Sequence, residues 1–466
     1  MKFHGADESE ARAPRNLSMQ TSTTILRRLG HEGRLTAALA LPLVAGQLSQ
    51  IFIALADTIM VGRLGVLPLA GATFANNVLH LPFIFGLGFC MAISIRVSQA
   101  RGAGDREAAR SALRHGLYLA FAFGVLTLVG VWLMLPYLGI FRQEPAIVRA
   151  VPRYFLLVAA SMIPAIGAMA VKNHADAMNK PWPPFWIMLG AGVLNVLLNW
   201  IFIYGKLGAP RLELDGAGVA TLLARLVMLA GILWWSLRSP ALREWVPVHW
   251  FRLPEWATVR DLVRIGLPAS LQLLAEVSAF VMATLLIGTL GPAALASHQV
   301  AITCAATIFM VPLGLSMALT VRMGEAWGAR QHERLRLILL SGWGLALAFT
   351  AGSAKLFLFF NHTIAGLFLT DPAVVALAAN LLLVSAAFQV SDALQVSAGG
   401  ALRGLADVKI PALLAFIAYW VISIPFGWFL AFPLGLGVAG MWWGLTAGLT
   451  ITAIALGRRV WRKTAA

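Results

Sequence analysis

Residues 46–65 read GQLSQIFIALADTIMVGRLG. The stretch is apolar enough to lie in lipid, yet it carries Asp57. Gln47, Gln50 and Asp57 are spaced three and seven residues apart, so a helix places them on one face. A carboxylate at the centre of a bilayer costs roughly 2.5–3.5 kcal/mol even on the mild insertion scale. Such a group has to face protein or a water-filled cavity. A second copy of the pattern lies 226 residues on: Leu41-Pro42 returns as Leu267-Pro268, and Gly62-Arg63-Leu64-Gly65 as Gly288-Thr289-Leu290-Gly291. At that offset Gln50 falls on Glu276 and Asp57 on Ala283, so each copy keeps an acid on its first helix, at a different height.

Composition agrees with a membrane protein. The 466 residues are 59% hydrophobic and 12% charged, against roughly 25% charged in a soluble domain. The net charge of +16 does not point to nucleic acid, because the basic residues gather at the ends of apolar runs, as they do in cytoplasmic loops. Cys90 and Cys304 make no metal or redox spacing. At the repeat offset Cys90 falls on Ser316, which reads as packing. No P-loop, HExxH or nucleophile elbow is present, so neither ATP hydrolysis nor another enzymatic activity is expected, and no cofactor. Gly435 to Gly440 fits GxGxxG only in form: no strand precedes it, and it repeats the helix entry at Gly216 to Ala220.

Spanning a bilayer takes about 20 apolar residues per helix. Twelve segments qualify, near 35–61, 70–97, 112–138, 150–172, 183–204, 216–237, 261–289, 296–321, 337–360, 373–400, 410–432 and 437–457. Long runs without alternation specify helices and not barrel strands. Residues 1–33 are polar, and the apolar run after them has no cleavage site, so they read as a cytoplasmic tail before a retained helix. With both termini inside, most of the 36 basic residues fall on one side, as the positive-inside bias requires.

A linker at 238–260 divides helices 1–6 (residues 34–237) from helices 7–12 (residues 261–457), and a basic tail, 458–466, closes the chain. Further repeats match Gly88 with Gly314, Met91 with Met317, Arg96 with Arg322 and Gly102 with Gly328. Six is even, so both copies insert the same way up, related by an axis along the membrane normal with the substrate site between them. The expected fold is an all-α integral membrane protein with twelve transmembrane helices in two pseudo-symmetric six-helix bundles.

Of the twenty Asp and Glu residues, three sit deep in apolar segments: Asp57, Glu276 and Asp392. Glu276 shares a face with Gln272. Asp392 lies on a stripe with Ser385, Gln389 and Gln395. Asn195 and Asn199 are four apart on helix 5, and Thr221 lies early in helix 6. Arg225 is the one basic residue at comparable depth, so ion pairing does not account for three acids. Intramembrane acids are functional by default. Burial favours the neutral carboxyl, so each acid is fit to load and release a proton. Backed by amide and hydroxyl oxygens, a carboxylate is equally fit to hold Na⁺. The residues leave both choices open.

Three stretches carry a family resemblance. Ala56-Asp57-Thr58-Ile59-Met60-Val61-Gly62, Leu198 to Gly205, and Gly400-Ala401-Leu402-Arg403-Gly404 with Asp407 and Pro411 resemble the multidrug and toxic compound extrusion (MATE) transporters. The similarity covers about residues 35–460 and is closest to the NorM-like branch, because Glu276 falls on helix 7 and Asp392 on helix 10. It implies a V-shaped, MOP-type monomer in the plasma membrane (the bacterial inner membrane). Such a protein exports amphipathic, often cationic xenobiotics in antiport with Na⁺ or H⁺. It implies one cation site at Asp57, Asn195, Asn199 and Thr221, with Gln50 in support. It implies a second at Glu276 and Asp392, with Gln272 and Gln389 in support. Na⁺ is implied at either. A tyrosine common one turn before the helix 10 acid is Phe388 here, which removes a hydroxyl from that site. The alternative on the same superfold is a lipid-linked oligosaccharide flippase, which calls for a basic cavity.

Overall fold

The computed structural model describes residues 15–465, with side chains from Leu26 onward; residues 1–14 of the expected N-terminal tail, and Ala466, lie outside the described residues. Twelve helices are long and apolar enough to cross a membrane: α1 (Leu26–Gly62), α2 (Val66–Ala103), α3 (Arg106–Phe141), α4 (Pro152–Ala177), α5 (Trp182–Tyr204), α6 (Glu213–Arg238), α7 (Trp256–Gly288), α8 (Pro292–Gly328), α9 (His332–Gly366), α10 (Pro372–Gly404), α11 (Lys409–Ala431) and α12 (Gly437–Lys463). Each coincides with an apolar segment, but most run beyond it into charged sequence. The helix that contains α1 begins at Arg15, so the polar segment before Leu35 is helical where it is described. Glu32 supplies the reason: it is buried, and pairs with Arg322 of α8 and Arg334 of α9.

The repeat is visible in the backbone. Gly65 and Gly291, equivalent in the two copies, open α2 and α8 with φ of 120° and 110°. Only glycine takes that conformation without strain, which explains why both copies place a glycine just before their second helix.

Helices α1–α6 and α7–α12 form two bundles. The core of the first centres on fully buried Leu113, Phe155 and Ile203, and the linker joins it: Leu242 and Val246 are buried there too. Tyr118 donates its hydroxyl to the carbonyls of Trp250 and Arg252, and Arg114 pairs with Glu255 at 3.2 Å. His174 Nε2 lies 3.1 Å from the Trp245 carbonyl. The linker is thus a strap fastened to α3 and α4. In the second bundle, Arg459 and Lys463 of α12 clamp Asp407 in the α10–α11 turn, at 2.6 and 3.0 Å. Burial pushes that carboxyl up, but the two cations outweigh it and hold it below the usual carboxylate range.

The bundles meet at the basic end through a contact that obeys the repeat. Gly88 of α2 lies on the backbone of Ser270 in α7, and Gly314 of α8 lies on the backbone of Val44 in α1. Val44 and Ser270 are themselves repeat equivalents. Nearer the basic end, Gly102 faces the carbonyl of Glu325 and Gly328 faces the carbonyl of Gln99, again an equivalent pair. Arg96 of α2 grips both oxygens of Asp261 in α7, at 2.6 and 2.5 Å, while its counterpart Arg322 reaches Glu32 and Thr36 of α1. Among the described residues, the hydrogen bonds between bundles and the glycine approaches all fall in this half of the molecule. The basic end is sealed, and Asp57 and Glu276 lie beyond the seal.

A methyl group at Gly102 would collide with backbone that cannot retreat. Overpacking of that kind costs about 1–3 kcal/mol. Gly102→Ala is expected to loosen the seal, and Gly328→Ala to do the same. Ser94 is buried and lines a small cavity between the bundles; in a cysteine-free background carrying Ser94→Cys, either change should speed labelling by an impermeant maleimide from the basic side at least several-fold. Unchanged labelling would mean the crossing does not hold the end shut.

Candidate functional site

The first cluster crosses α1, α5 and α6. Asn199 donates Nδ2 to Asp57 Oδ1 at 2.6 Å and reaches Asn195 Oδ1 at 3.4 Å. Asn195 Nδ2 stands 3.5 Å from Thr221 Oγ1, and that hydroxyl donates to the Ala217 carbonyl at 2.9 Å. The two asparagines are one turn apart on one face of α5, as their spacing requires, and both are buried; Asp57 is half-buried. Asn199 Oδ1 is buried with no hydrogen-bond partner, so an amide oxygen is left free beside a carboxylate. All four residues expected for this site are therefore in one line. Gln50 is not part of it. It is exposed and two turns from Asp57 on α1, about 10 Å along the axis. Sharing a helix face does not bring the two into contact.

Arg225, one turn after Thr221 on α6, donates to Ser161 Oγ at 2.8 Å. Its charge is within electrostatic reach of Asp57 and Tyr154, but it makes no ion pair with Asp57. Tyr154 bonds to Asn76 Oδ1 at 3.4 Å. The first acid therefore sits in a polar shell with one cation held at its edge.

The second cluster lies in the other bundle. Asp392 of α10 is buried, within electrostatic reach of Glu276 on α7. Gln272, Ser385, Gln389 and Gln395 are buried as their stripes require. Gln389 Oε1 accepts from Ser353 at 2.9 Å. The Ser385 hydroxyl, Gln389 Nε2, Gln395 Oε1 and the hydroxyls of Ser397, Tyr419 and Ser423 have no protein partner. Buried polar groups that the protein leaves free are met by water or an ion, so this interior is built to be wet.

Sequence reasoning missed Tyr419. It lies in a π turn, Ile417–Ser423, just before Pro425, which has no N–H to continue the helical ladder. Its hydroxyl is within electrostatic reach of Glu276 and is left without a protein hydrogen bond. Phe388, in the position where a tyrosine was expected, packs edge-on against Phe280 and Trp442, with ring centres at 6.1 and 5.3 Å. The hydroxyl available to this cluster is that of Tyr419 on α11, on the Glu276 side.

Two further cations are buried by the protein, toward the basic ends of their helices. Arg403 and Lys172 are 6% and 7% exposed. α4 and α10 outrun their apolar stretches, and their ends face one small cavity between the bundles. Arg403 donates Nη2 to Ser316 Oγ at 2.8 Å and lies within electrostatic reach of Glu276. Lys172 pairs with Asp176 at 2.5 Å. Asp176 keeps a free Oδ1 and lines, with Arg403, a small cavity between the bundles. The i,i+4 spacing of Lys172 and Asp176 was the available signal. Cys90 is a packing residue, with Sγ 3.7 Å from the Ile166 carbonyl. His298, between Thr284 and Trp442, is another.

The MatE family profile matches residues 42–201 and 268–429, one stretch in each bundle. The Probable multidrug resistance protein NorM of Rhizobium meliloti (strain 1021) is 36% identical over 434 residues, covering 92% of this chain and 93% of that protein. The Multidrug resistance protein PmpM of Pseudomonas aeruginosa is 34% identical over 423 residues, covering 90% and 89%. In fold, the Vibrio cholerae MATE transporter VcmN superposes with a TM-score of 0.85 at 22% identity, covering 94% of this chain and 98% of that one. A profile that matches once in each bundle, and relatives alike over nine-tenths of their length, place this chain in the MatE family of membrane transporters.

Proposed function

We propose that the protein is a secondary active multidrug exporter of the bacterial inner membrane. It moves amphipathic, cationic xenobiotics outward in antiport with Na⁺ or H⁺. The observation that carries this reading is the pair of acid clusters, one per bundle, lying beyond a sealed basic end. In this reading residues 34–237 and 261–457 are the two lobes, 238–260 is a cytoplasmic linker, and tails 1–33 and 458–466 both lie in the cytoplasm. The positive-inside bias supports that orientation. One chain carries both halves of the pseudo-twofold, so it works as a monomer. Its partners are its substrates and the bilayer, with no cofactor and no nucleic acid. A flippase calls for a basic cavity. Here Arg225 and Arg403 are each bonded to a serine of their own bundle, within reach of an acid.

The chemistry follows from competition. Asp57, held by Asn199 and backed by the amide oxygens of Asn195 and Asn199 and the Thr221 hydroxyl, offers a hard oxygen site for Na⁺ or a proton. Glu276 and Asp392 repel each other as carboxylates, so one cation near them relieves that repulsion. A proton, Na⁺ or a cationic substrate serves equally. Loading one weakens the hold on another, and the linkage is reciprocal. Gln272 and Gln389, buried on the same helices as the two acids, are the supporting polar residues in this reading.

Asp57→Asn preserves shape and removes the charge. In proteoliposomes with Na⁺ and H⁺ gradients imposed separately, gradient-driven dye efflux is expected to fall at least tenfold. Asn199→Ala should give a smaller loss, and both variants should still elute as monodisperse protein. Wild-type efflux from Asp57→Asn would return that residue to a structural role.

For the second cluster the measurement is equilibrium binding of a cationic dye to purified protein across pH and Na⁺. Affinity should drop as either cation is added, and the Glu276→Gln/Asp392→Asn double variant should lose most of that dependence. Full dependence in the double variant would assign the competition to Asp57. Vesicles loaded alike with cationic and anionic dyes of equal size should export the cations faster; equal rates would reject the charge preference.

A further inference from the structure

Between the basic ends of α7 and α11 lies a groove of about 870 Å³ that transport leaves without a role. Val263, Leu267 and Pro268 wall it, and Arg260, Arg264 and Lys409 rim it. The three cations are exposed, and none is ion-paired among the described residues. The acid on the rim, Asp261, is already held on both oxygens by Arg96. Lys409 opens α11 behind Val408, which gives no side-chain cap. The positive end of that helix therefore adds to the charge of the rim. Along α7 the same face continues as Leu267 and Leu271, both exposed. Within a turn or two the surface passes from cationic to apolar, as a phospholipid passes from headgroup to chain.

The repeat provides an internal comparison. At the offset of 226, Arg260 and Arg264 fall on Arg34 and Ala38, and α5 begins with Trp182 where α11 begins with Lys409. The first bundle shows there an exposed tryptophan pair, Trp182 stacked with Trp186 at 6.3 Å, which is the ordinary aromatic dress of a membrane interface. A uniform inside-positive bias would charge both bundles alike. The first bundle keeps Arg34 and, just before α5, Lys180, but has no counterpart of Arg264.

We propose that this groove is a binding site for an anionic phospholipid carrying two phosphodiesters, of the diphosphatidylglycerol type. Its phosphates lie among Arg260, Arg264 and Lys409, and an acyl chain lies along Leu267 and Leu271. Basic pockets between transmembrane helices at the cytoplasmic face suit such headgroups. The assignment requires only that the basic end lie at headgroup level, and is independent of what the protein exports.

The test is native mass spectrometry of the full-length protein released from nanodiscs of phosphatidylethanolamine doped with diphosphatidylglycerol. The wild type should retain the anionic lipid in preference to the zwitterionic one. Arg260→Gln/Arg264→Gln/Lys409→Gln should weaken that retention about a hundredfold, the product of three phosphate contacts of about fivefold each. Arg34→Gln should leave it unchanged, and millimolar inorganic phosphate should not displace the lipid. Four results would overturn the proposal. These are no anionic preference in the wild type, full retention by the triple variant, an equal loss in Arg34→Gln, and displacement by inorganic phosphate, which would make this a site for free anions. Should the triple variant not fold, Lys409→Gln alone, at an exposed helix start, is expected to lose about fivefold, and undiminished retention by it counts equally against the site.

Discussion

The close approach of α2 and α8 at Gly102 and Gly328 is the constraint on which the rest of the molecule hangs. It leaves no room for a side chain on either helix, so the two backbones fix the axis about which the bundles are arranged. Arg96 and Arg322 then fall opposite acids of the other bundle. Helices in a membrane gain little from hydrophobic association and depend on close packing and polar contacts. That matters at this end. Parting the bundles there would expose Arg96, Asp261, Arg322 and Glu32 to water, which hydrates them well. Charges withdrawn from water and paired recover little net free energy, so the seal is geometrically specific without being deep in energy. A transporter requires such a seal, one that closes in a single way and opens at modest cost.

The two acid clusters beyond the seal are built differently. Around Asp57 the amides form an ordered line, Asp57 to Asn199 to Asn195 to Thr221, with a single oxygen left over. Around Glu276 and Asp392 hydroxyls and amides are abundant but mostly uncommitted to one another. The first arrangement suits one small cation at a defined place. The second suits a hydrated space whose contents exchange.

Much of this was legible before the structure. Lipid demands long apolar helices, so all twelve spans stood out, and the second copy of the Gly62 to Gly65 motif disclosed the symmetry. Their ends were not legible, because Glu32 and Arg403 become interior residues only when the other bundle covers them, a tertiary event that local composition does not record. Spacing put Asn195 and Asn199 on one face and aligned the Asp392 stripe. It could not say which helices meet, and the junction with Asp57 came from family resemblance. Gln50 shows the same limit from the other side: it shares a helix face with Asp57 and does not touch it. Tyr419 escaped notice because the π turn that aims it arises where Pro425 interrupts the ladder, and hydrophobic periodicity carries no trace of that.

The paired glycines also bear on how many acids the chain can bury. Two identical halves about a twofold axis would carry every acid twice, so a pair of separate copies could gain or lose buried acids only in even steps. Once the halves share one chain, Gly102 and Gly328 can preserve the symmetric joint while Asp57 stands opposite Ala283 and Glu276 opposite Gln50. A fused chain can therefore carry an odd number of buried acids off its axis, or place them at unequal heights, which a strictly symmetric dimer cannot do.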